Sequence, residues 1–425
     1  MPNRRFEPGR EFSESLDAAD ELRAFRTRFA IPDPQLIYLD GNSLGRPTRD
    51  VANRLRLAAE DEWARDLIRG WNAGWFRAPS RLGESIARLV GAGPGQVVVT
   101  DSTSVNLFKL TLAALALRPE RTVIVSDALN FPSDLYVLQG CLELLGRRHH
   151  LALAPSPNGI TVEDDDLLSH VDHRTALVCL SHVAFKSGFL YDAASVTRRA
   201  HEAGALALWD LSHSVGVVPI ELDRWEVDFA VGCTYKYLNG GPGAPAFLYV
   251  RRELQEKAFS PIWGWFGQRN PFAFELEYTP GPGVERFLAG TPPILSLLAL
   301  ETALEVAIEA GIEPIRRKSI ALTDYLIDLV DTVLEPAGFT LASPRETKRR
   351  GSHITLRHPE GYRISRALAT EMGVLGDFRE PDNLRLGLSP LYTTFGELWD
   401  AVDRIRRCVD EARYLRYPAE RLPVT

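Results

Sequence analysis

A chain of 425 residues is too long for one simple core; at roughly 100–200 residues per domain it reads as two or three domains, or as one dominant α/β domain. Charged residues at 25% and hydrophobic residues at 45% are ordinary for a folded protein, and a net charge of −7 argues against nucleic acid as a partner, because phosphate binding asks for a basic face. The four cysteines, at 141, 179, 233 and 408, show no CxxC spacing, so no metal or redox centre is indicated and a reduced, cytoplasmic setting fits.

The N-terminal stretch "MPNRRFEPGREFSESLDAADELRAF" has no apolar core of the kind a secretory signal needs, and no run reaches the ~18 apolar residues of a membrane span. "SESLDAADELRAFRTRFAIP" predicts a helix with a Ser cap and a Pro stop. "LIYLDGNSLGRPT" predicts a short strand entering a glycine turn. From about residue 95 the pattern changes. "QVVVT" is a short apolar run, and "STSVNLFKLTLAALAL" is helical with hydroxyl residues at its start. "TVIVSD", "TALVCLSH", "ALALWDLSHSVG", "VDFAVGCT" and "APAFLYV" follow as strand-like runs, several of them separated by helical stretches such as "YDAASVTRRAHEAGA". That alternation predicts an α/β fold, a mostly parallel sheet with helices on both faces.

Beyond residue 295, "LSLLALETALEVAIEAG" is an amphipathic helix closed by Gly, and "SIALTDYLIDLVDTVLEPAG" is a second helix. "GSHITLRH", "NLRLGLSP" and the helical "TFGELWDAVDRIRRCVDEA" predict a smaller α+β domain. The expected division is an N-terminal segment over 1–60 packing with the small domain, a large domain over 61–300 and a small domain over 301–425.

Three strand ends carry the chemistry. Asp210 closes the apolar run "LALWD", and Lys236 follows the next run, in "TYKYLNGGPG". Ser102, Thr103 and Ser104 stand where a helix begins after "VVVTD". Singly, these are a helix cap, a solvated lysine and ordinary N-caps. Together, at the ligand-binding edge of an open α/β sheet, they offer a carboxylate, an amine and a phosphate seat. Pyridoxal 5'-phosphate (PLP) needs all three: an amine for its aldehyde, an acid for its ring nitrogen and an anchor for its phosphate.

At these residues the chain closely resembles the kynureninases, fold-type I PLP enzymes that cleave kynurenine to anthranilate and alanine. The resemblance spans nearly the whole chain, through "YLDGNSLG", "TSVNLFK", "NFPSD", "WDLSHSVG", "CTYKYLNGGPG", "GWFG", "GTPPI" and "LRLGLSPLY". It implies a large PLP-binding domain and hydrolytic Cβ–Cγ cleavage of L-kynurenine in tryptophan degradation, with 3-hydroxykynurenine as a further substrate. Lys236 matches the Schiff-base lysine and α-proton base, Asp210 the partner of the pyridine nitrogen, and Tyr235 a tyrosine at the phosphate that also serves proton transfer. Phe131 matches the aromatic stacked on the ring, Asp134 a polar contact beside it, Thr103 and Ser104 the phosphate end, and His213 a cofactor-site histidine. Trp265 and Thr291 match residues donated by a neighbouring subunit, which implies a homodimer. Arg385 matches the arginine for the substrate α-carboxylate, whereas Arg379 and Arg357 read as surface charges. Gly41, Asn42 and Ser43 match an N-terminal active-site turn, and Trp71 a wall of the substrate ring pocket. The hydroxykynurenine-preferring type resembles His and Asn where this chain has Trp71 and Thr291, which implies a preference for plain kynurenine. No metal, nucleic acid or membrane is implied. The alternatives are a cysteine desulfurase or selenocysteine lyase, which needs a nucleophilic Cys that "RRGSHITLRH" lacks, and a non-catalytic PLP-binding protein.

Overall fold

The structure is a computed structural model, and it describes residues 6–420. The first helix, Arg10–Ala18, is shorter than predicted and is followed by a 3-10 turn over Arg23–Arg28. Ser13 lies inside the helix with its hydroxyl donating to the Arg10 carbonyl, and Gly9 is the N-cap. The break comes at Asp20, whose carboxylate accepts from the Leu22 backbone N–H and pairs with buried Lys318 at 2.7 Å. A side chain that captures a backbone donor competes with the helix ladder.

Strand β1 (Ile37–Tyr38) precedes a helical stretch that leads into the large sheet. That sheet contains β2 (Val97–Val99), β3 (Val123–Asp127), β4 (His150–Ala154), β5 (Thr175–Ser181), β6 (Leu206–Asp210), β7 (Phe229–Gly232) and β8 (Phe247–Val250), in spatial order β2-β8-β7-β6-β5-β3-β4. The pairings from β4 across to β7 are parallel, and β8 runs against both of its neighbours. Strict alternation sends Val123, Val125, Val178, Leu180 and Trp209 into one core and Ile124, Leu177, Cys179 and Leu208 into the opposite one. With helices on both faces, the central strands read as continuous apolar runs. Only Ala154 of edge strand β4 is buried, and "HHLALA" carries no β-branched signal by which sequence reading could find it.

The helix Ile294–Ala310 stops at Gly311 and spans the expected boundary at residue 300. Its Leu297, Leu300, Leu304 and Ala307 pack into the large core. The next helix, Ile312–Leu329, gives Leu322, Leu326 and Leu329 to a second core that also takes Ile37 and Leu39. Around that core lie β9 (Thr340–Leu341), β10 (His353–Arg357), β11 (Val374–Leu375), β12 (Asp377–Arg379) and β13 (Asn383–Gly387). An antiparallel sheet runs in the order β12-β13-β10-β9, while β1 pairs in parallel with β11 and thereby ties the N-terminal segment to the C-terminal domain. Among the described residues no helix is long and apolar enough to cross a membrane, and no group of three or more His, Cys, Asp or Glu could hold a metal ion.

Candidate active site

The C-terminal ends of β6 and β7 open into a cavity of about 570 Å³, within the usual size range of cofactor pockets. Thr103, Ser104, Phe131, Asp134, Asp210, His213, Tyr235, Lys236 and Thr291 line it. Asp210 is the last residue of β6, and its Oδ1 accepts from both the backbone N–H and the hydroxyl of Ser212. The Ser212 hydroxyl also accepts from the Cys233 N–H, which links the end of β6 to the turn that carries the lysine.

Lys236 Nζ lies 2.8 Å from His213 Nε2 and 5.8 Å from the centroid of the Phe131 ring. Burial, and then the positive charges of Lys236 and Arg385, hold His213 well below the usual histidine range, so its ring is neutral. His213 Nδ1 is buried without a partner, and its ring stands 5.4 Å from that of His353, another buried neutral histidine. The lysine turn is held by Asn239 N–H donating to the Lys236 carbonyl and Gly240 N–H to that of Thr234. Gly45 N–H donates to the Tyr235 carbonyl at 2.8 Å. A Cβ at residue 45 would stand 2.3 Å from the Lys236 carbonyl oxygen, so only glycine lets the N-terminal turn seat against the lysine loop.

Burial, reinforced by the charge of Asp210 and a hydrogen bond to it, pushes the Asp134 carboxyl well above the carboxylate range. One carboxyl thus keeps its proton against the other, and Asp134 Oδ2 has no partner. Burial, then Cys233 and Asp210, push the Tyr235 phenol up, so the hydroxyl is protonated at neutral pH. At the far end, Ser102 caps the helix Thr103–Leu117 by accepting from the Val105 N–H at 3.3 Å, and Ser104 Oγ lies 3.3 Å from Ser133 Oγ. Free N–H groups and hydroxyls at a helix N-terminus suit a phosphate. Lys109 is no rival amine: it is fully buried, paired with Asp101 at 2.5 Å and donating to the Phe287 carbonyl at 2.6 Å.

The residues fit PLP. A lysine amine, an acid pair with an orphaned oxygen, an aromatic face and a hydroxyl-rich helix start share one cavity. Ser133 and Ser212 also line it and were not singled out from the sequence. Their visible signal was a hydroxyl two residues after Phe131 and two residues after Asp210.

Six of the sequence-predicted residues, Gly41, Asn42, Ser43, Trp71, Trp265 and Arg385, stand apart from this wall. Arg385 is buried on β13 and bonded to Asp377. Ser43 accepts from Arg385 and donates to Asp377. Asn42 is fully buried against Gly387, with both amide atoms unpartnered, because β1 and its turn fold down onto β13. A Cβ at residue 387 would meet the Asn42 amide oxygen at 1.8 Å, which only glycine avoids. Trp71 packs edge-on to Trp75 and Trp265 at 5.9 and 6.3 Å rather than lining the cavity, since the short turns over residues 67–77 press it onto Phe266. Trp265 is 37% exposed and donates to Thr291 Oγ1 at 3.3 Å, while Thr291 reaches the cavity of its own chain. Arg379 corrects the surface reading: it is half-buried and pairs with Asp377 at 2.6 Å. Arg357 is half-buried to the same degree, beside Asn383, the Asn158 carbonyl and, at 3.9 Å, Asp382.

The family described as the kynureninase C-terminal domain matches residues 315–405. The kynureninase of Pseudomonas fluorescens is 47% identical over 402 residues, 93% of this chain and 94% of its own length. That of Burkholderia pseudomallei (strain 1106a) is 45% identical over 406 residues, 94% of this chain and 95% of its own. Among solved structures, a cysteine desulfurase from Thermococcus onnurineus NA1 superposes with a TM-score of 0.77 at 19% identity, covering 89% of this chain and 95% of its own. The cysteine desulfurase CsdA of Escherichia coli gives 0.75 at 18% identity, over 92% and 99%. At such identities the structural likeness speaks for the fold, which is that of the fold-type I PLP enzymes.

Proposed function

The chain belongs to the kynureninase family, and from that premise we propose that it hydrolyses the Cβ–Cγ bond of L-kynurenine to anthranilate and L-alanine, using PLP. The observation that carries the reading is Lys236 Nζ facing His213 and Phe131 in the cavity that also holds the Asp134–Asp210 pair. When bound, PLP supplies the electron sink that acidifies the α-proton of an amino acid and makes a carbon–carbon bond next to a carbonyl cleavable.

The remaining work falls to the chain's own side chains. Lys236 holds the cofactor and, once free, takes the α-proton at Nζ. The neutral His213 accepts a hydrogen bond from that amine at 2.8 Å and aims it. Asp210, its Oδ1 fixed by Ser212, would hold the ring nitrogen, and Asp134 would back it as a donor. Phe131 would cover the ring face, and the helix start with Thr103 and Ser104 would take the phosphate. Tyr235, which keeps its proton at neutral pH, is the acid for the late protonation. Arg385 takes the substrate α-carboxylate, with Ser43 bonded to its Nη2 and Asn42 packed on the neighbouring Gly387. The test is direct: purified protein supplied with PLP and L-kynurenine releases anthranilate, followed by its fluorescence. Absence of anthranilate from a PLP-loaded, folded protein would sink the reading.

A desulfurase activity is disfavoured, because all four cysteines are buried and none lines the cavity. The free cysteines fit a reducing compartment, and the cytoplasm is the proposed location. The working unit is proposed to be a homodimer. Trp263, Trp265, Phe272, Phe274 and Leu276 form an exposed apolar run beside Thr291, of the kind that marks an interface. Light scattering is expected to give twice the chain mass, and an active PLP-loaded monomer would contradict it.

A further inference from the structure

The guanidinium of Arg385 is almost fully engaged before any ligand arrives. Nε donates to Asp377 Oδ1 at 2.9 Å, and Nη2 donates to Asp377 Oδ2 and to Ser43 Oγ. Nη1 donates to the Phe185 carbonyl at 2.6 Å. Of the five N–H groups an arginine carries, one on Nη1 is left. A substrate carboxylate held by two parallel bonds therefore has to displace an existing acceptor.

The acceptors differ in how readily they leave. Asp377 is buried, its side chain 7% exposed, and it also pairs with Arg379 at 2.6 Å. Moving it away would strand two cations in a poorly solvated place, which is strongly unfavourable. Ser43 Oγ and the Phe185 carbonyl are neutral, and each accepts one bond from the fork. The Phe185 ring stands edge-on to Phe131 at 5.2 Å, and Phe131 lines the cavity. Nη1 is thus bonded to the backbone of a residue whose ring meets a cavity residue, whereas the Nε edge is taken by Asp377. The register enforces this, since Asp377 on β12 is the direct cross-strand partner of Arg385 on β13.

We propose that Asp377 is a positioning residue for substrate recognition: it grips the Nε–Nη2 edge of Arg385 and leaves the Nη1–Nη2 end to the α-carboxylate, which replaces the neutral acceptors Ser43 and Phe185. The proposal rests on the reading of Arg385 as the carboxylate-binding arginine. Without Asp377 the fork is free to turn, and the substrate meets a misdirected cation.

The experiment uses the full-length, PLP-loaded protein with L-kynurenine and its α-carboxamide, which keeps the skeleton and lacks the charge. In Asp377→Asn the KM for L-kynurenine is expected to rise about tenfold, and in Asp377→Ala about 30-fold or more, with kcat within about threefold of the parent. The KM for the carboxamide should stay nearly constant, so the preference for the carboxylate collapses. Calorimetric binding of the product L-alanine should weaken by a similar factor. An unchanged KM, or an equal rise for both substrates, overturns the proposal; so does a lower KM, which would make Asp377 a competing internal carboxylate. Thermal melts identify a variant that does not fold, and if Asp377→Ala fails there, Asp377→Asn decides. A parent protein that does not cleave L-kynurenine refutes the underlying reading itself, which is a different result from a parent that cleaves it and a variant that is indifferent.

Discussion

The two ends of the site are built on opposite terms. At the lysine end, groups are left with unspent capacity: Asp134 Oδ2 and His213 Nδ1 are buried without partners. At the arginine end, the charged groups Arg385, Asp377 and Arg379 close on one another and on Ser43, and the unpartnered atoms there, the Asn42 amide and Asp40 Oδ1, belong to the neighbouring N-terminal turn rather than to the ion-pair network. Buried polar groups without partners are costly, so the first end is shaped for a group that arrives and stays. The second keeps its charges compensated without a ligand, as a reversible binding site would require.

The sharpest way to break this contrast is to remove the amine. Lys236→Ala is expected to lower kcat by at least about 10³-fold while the protein still folds. Borohydride reduction and peptide mapping of the parent should place the pyridoxyl label on Lys236; a label on Lys109 or Lys186 would undo the assignment. The next effect separates the two acids. Asp210→Asn is expected to retain cofactor yet lose about 10²-fold in kcat, whereas Asp134→Asn, which mimics the proton that Asp134 already keeps, should cost less than about tenfold. The reverse order of severity would exchange their roles.

A smaller effect concerns the substrate ring. Trp71 and Thr291 do not touch the same space directly but are joined through Trp265, edge-on to one and hydrogen-bonded to the other. L-Kynurenine is expected to exceed its 3-hydroxy form by about tenfold in kcat/KM, because a buried hydroxyl without a partner costs about 1–3 kcal/mol. The double change Trp71→His with Thr291→Asn should narrow the gap, and equal specificity constants in the parent protein would remove the argument.

The smallest effect probes the charge balance of the arginine end. Burial and the neighbouring Asp377 push the Asp40 carboxyl up to about 6. Its folded value lies above its ordinary one, so the stability it contributes is complete below about pH 4 and is lost as pH rises through about 6. Asp40→Asn is therefore expected to raise Tm by a few degrees at pH 7.5 and to leave it unchanged near pH 4. A uniform shift across that range, read from melting curves at several pH values, would show that Asp40 is not the titrating group.

The lysine end was legible in the chain because its parts sit at strand ends, where local patterns announce them. "LALWD" and "TYKYLNGGPG" each combine an apolar run with a polar stop, and parallel strands bring such stops to one edge. The same logic found most of the large sheet and missed only its partly buried edge strand β4. The helix over residues 13–32 was read too long because the pairing of Asp20 with Lys318 is 298 residues away in sequence and invisible to local propensity.

By itself, then, the sequence determined the α/β class and pointed to Lys236, Asp210, Thr103 and Ser104, which the fold brings to one cavity, because strand ends and residue chemistry are visible in short-range periodicity. Tertiary structure alone decided which acid keeps a proton, since that depends on Asp134 being buried against Asp210. It alone placed Trp71 in an aromatic cluster and drew Arg379 into the ion-pair network. The pairing of Asp377 with Arg385 likewise came from the antiparallel register of β12 and β13. Register, burial and charge coupling are properties of residues distant in the chain and adjacent in space, and no window of sequence contains them.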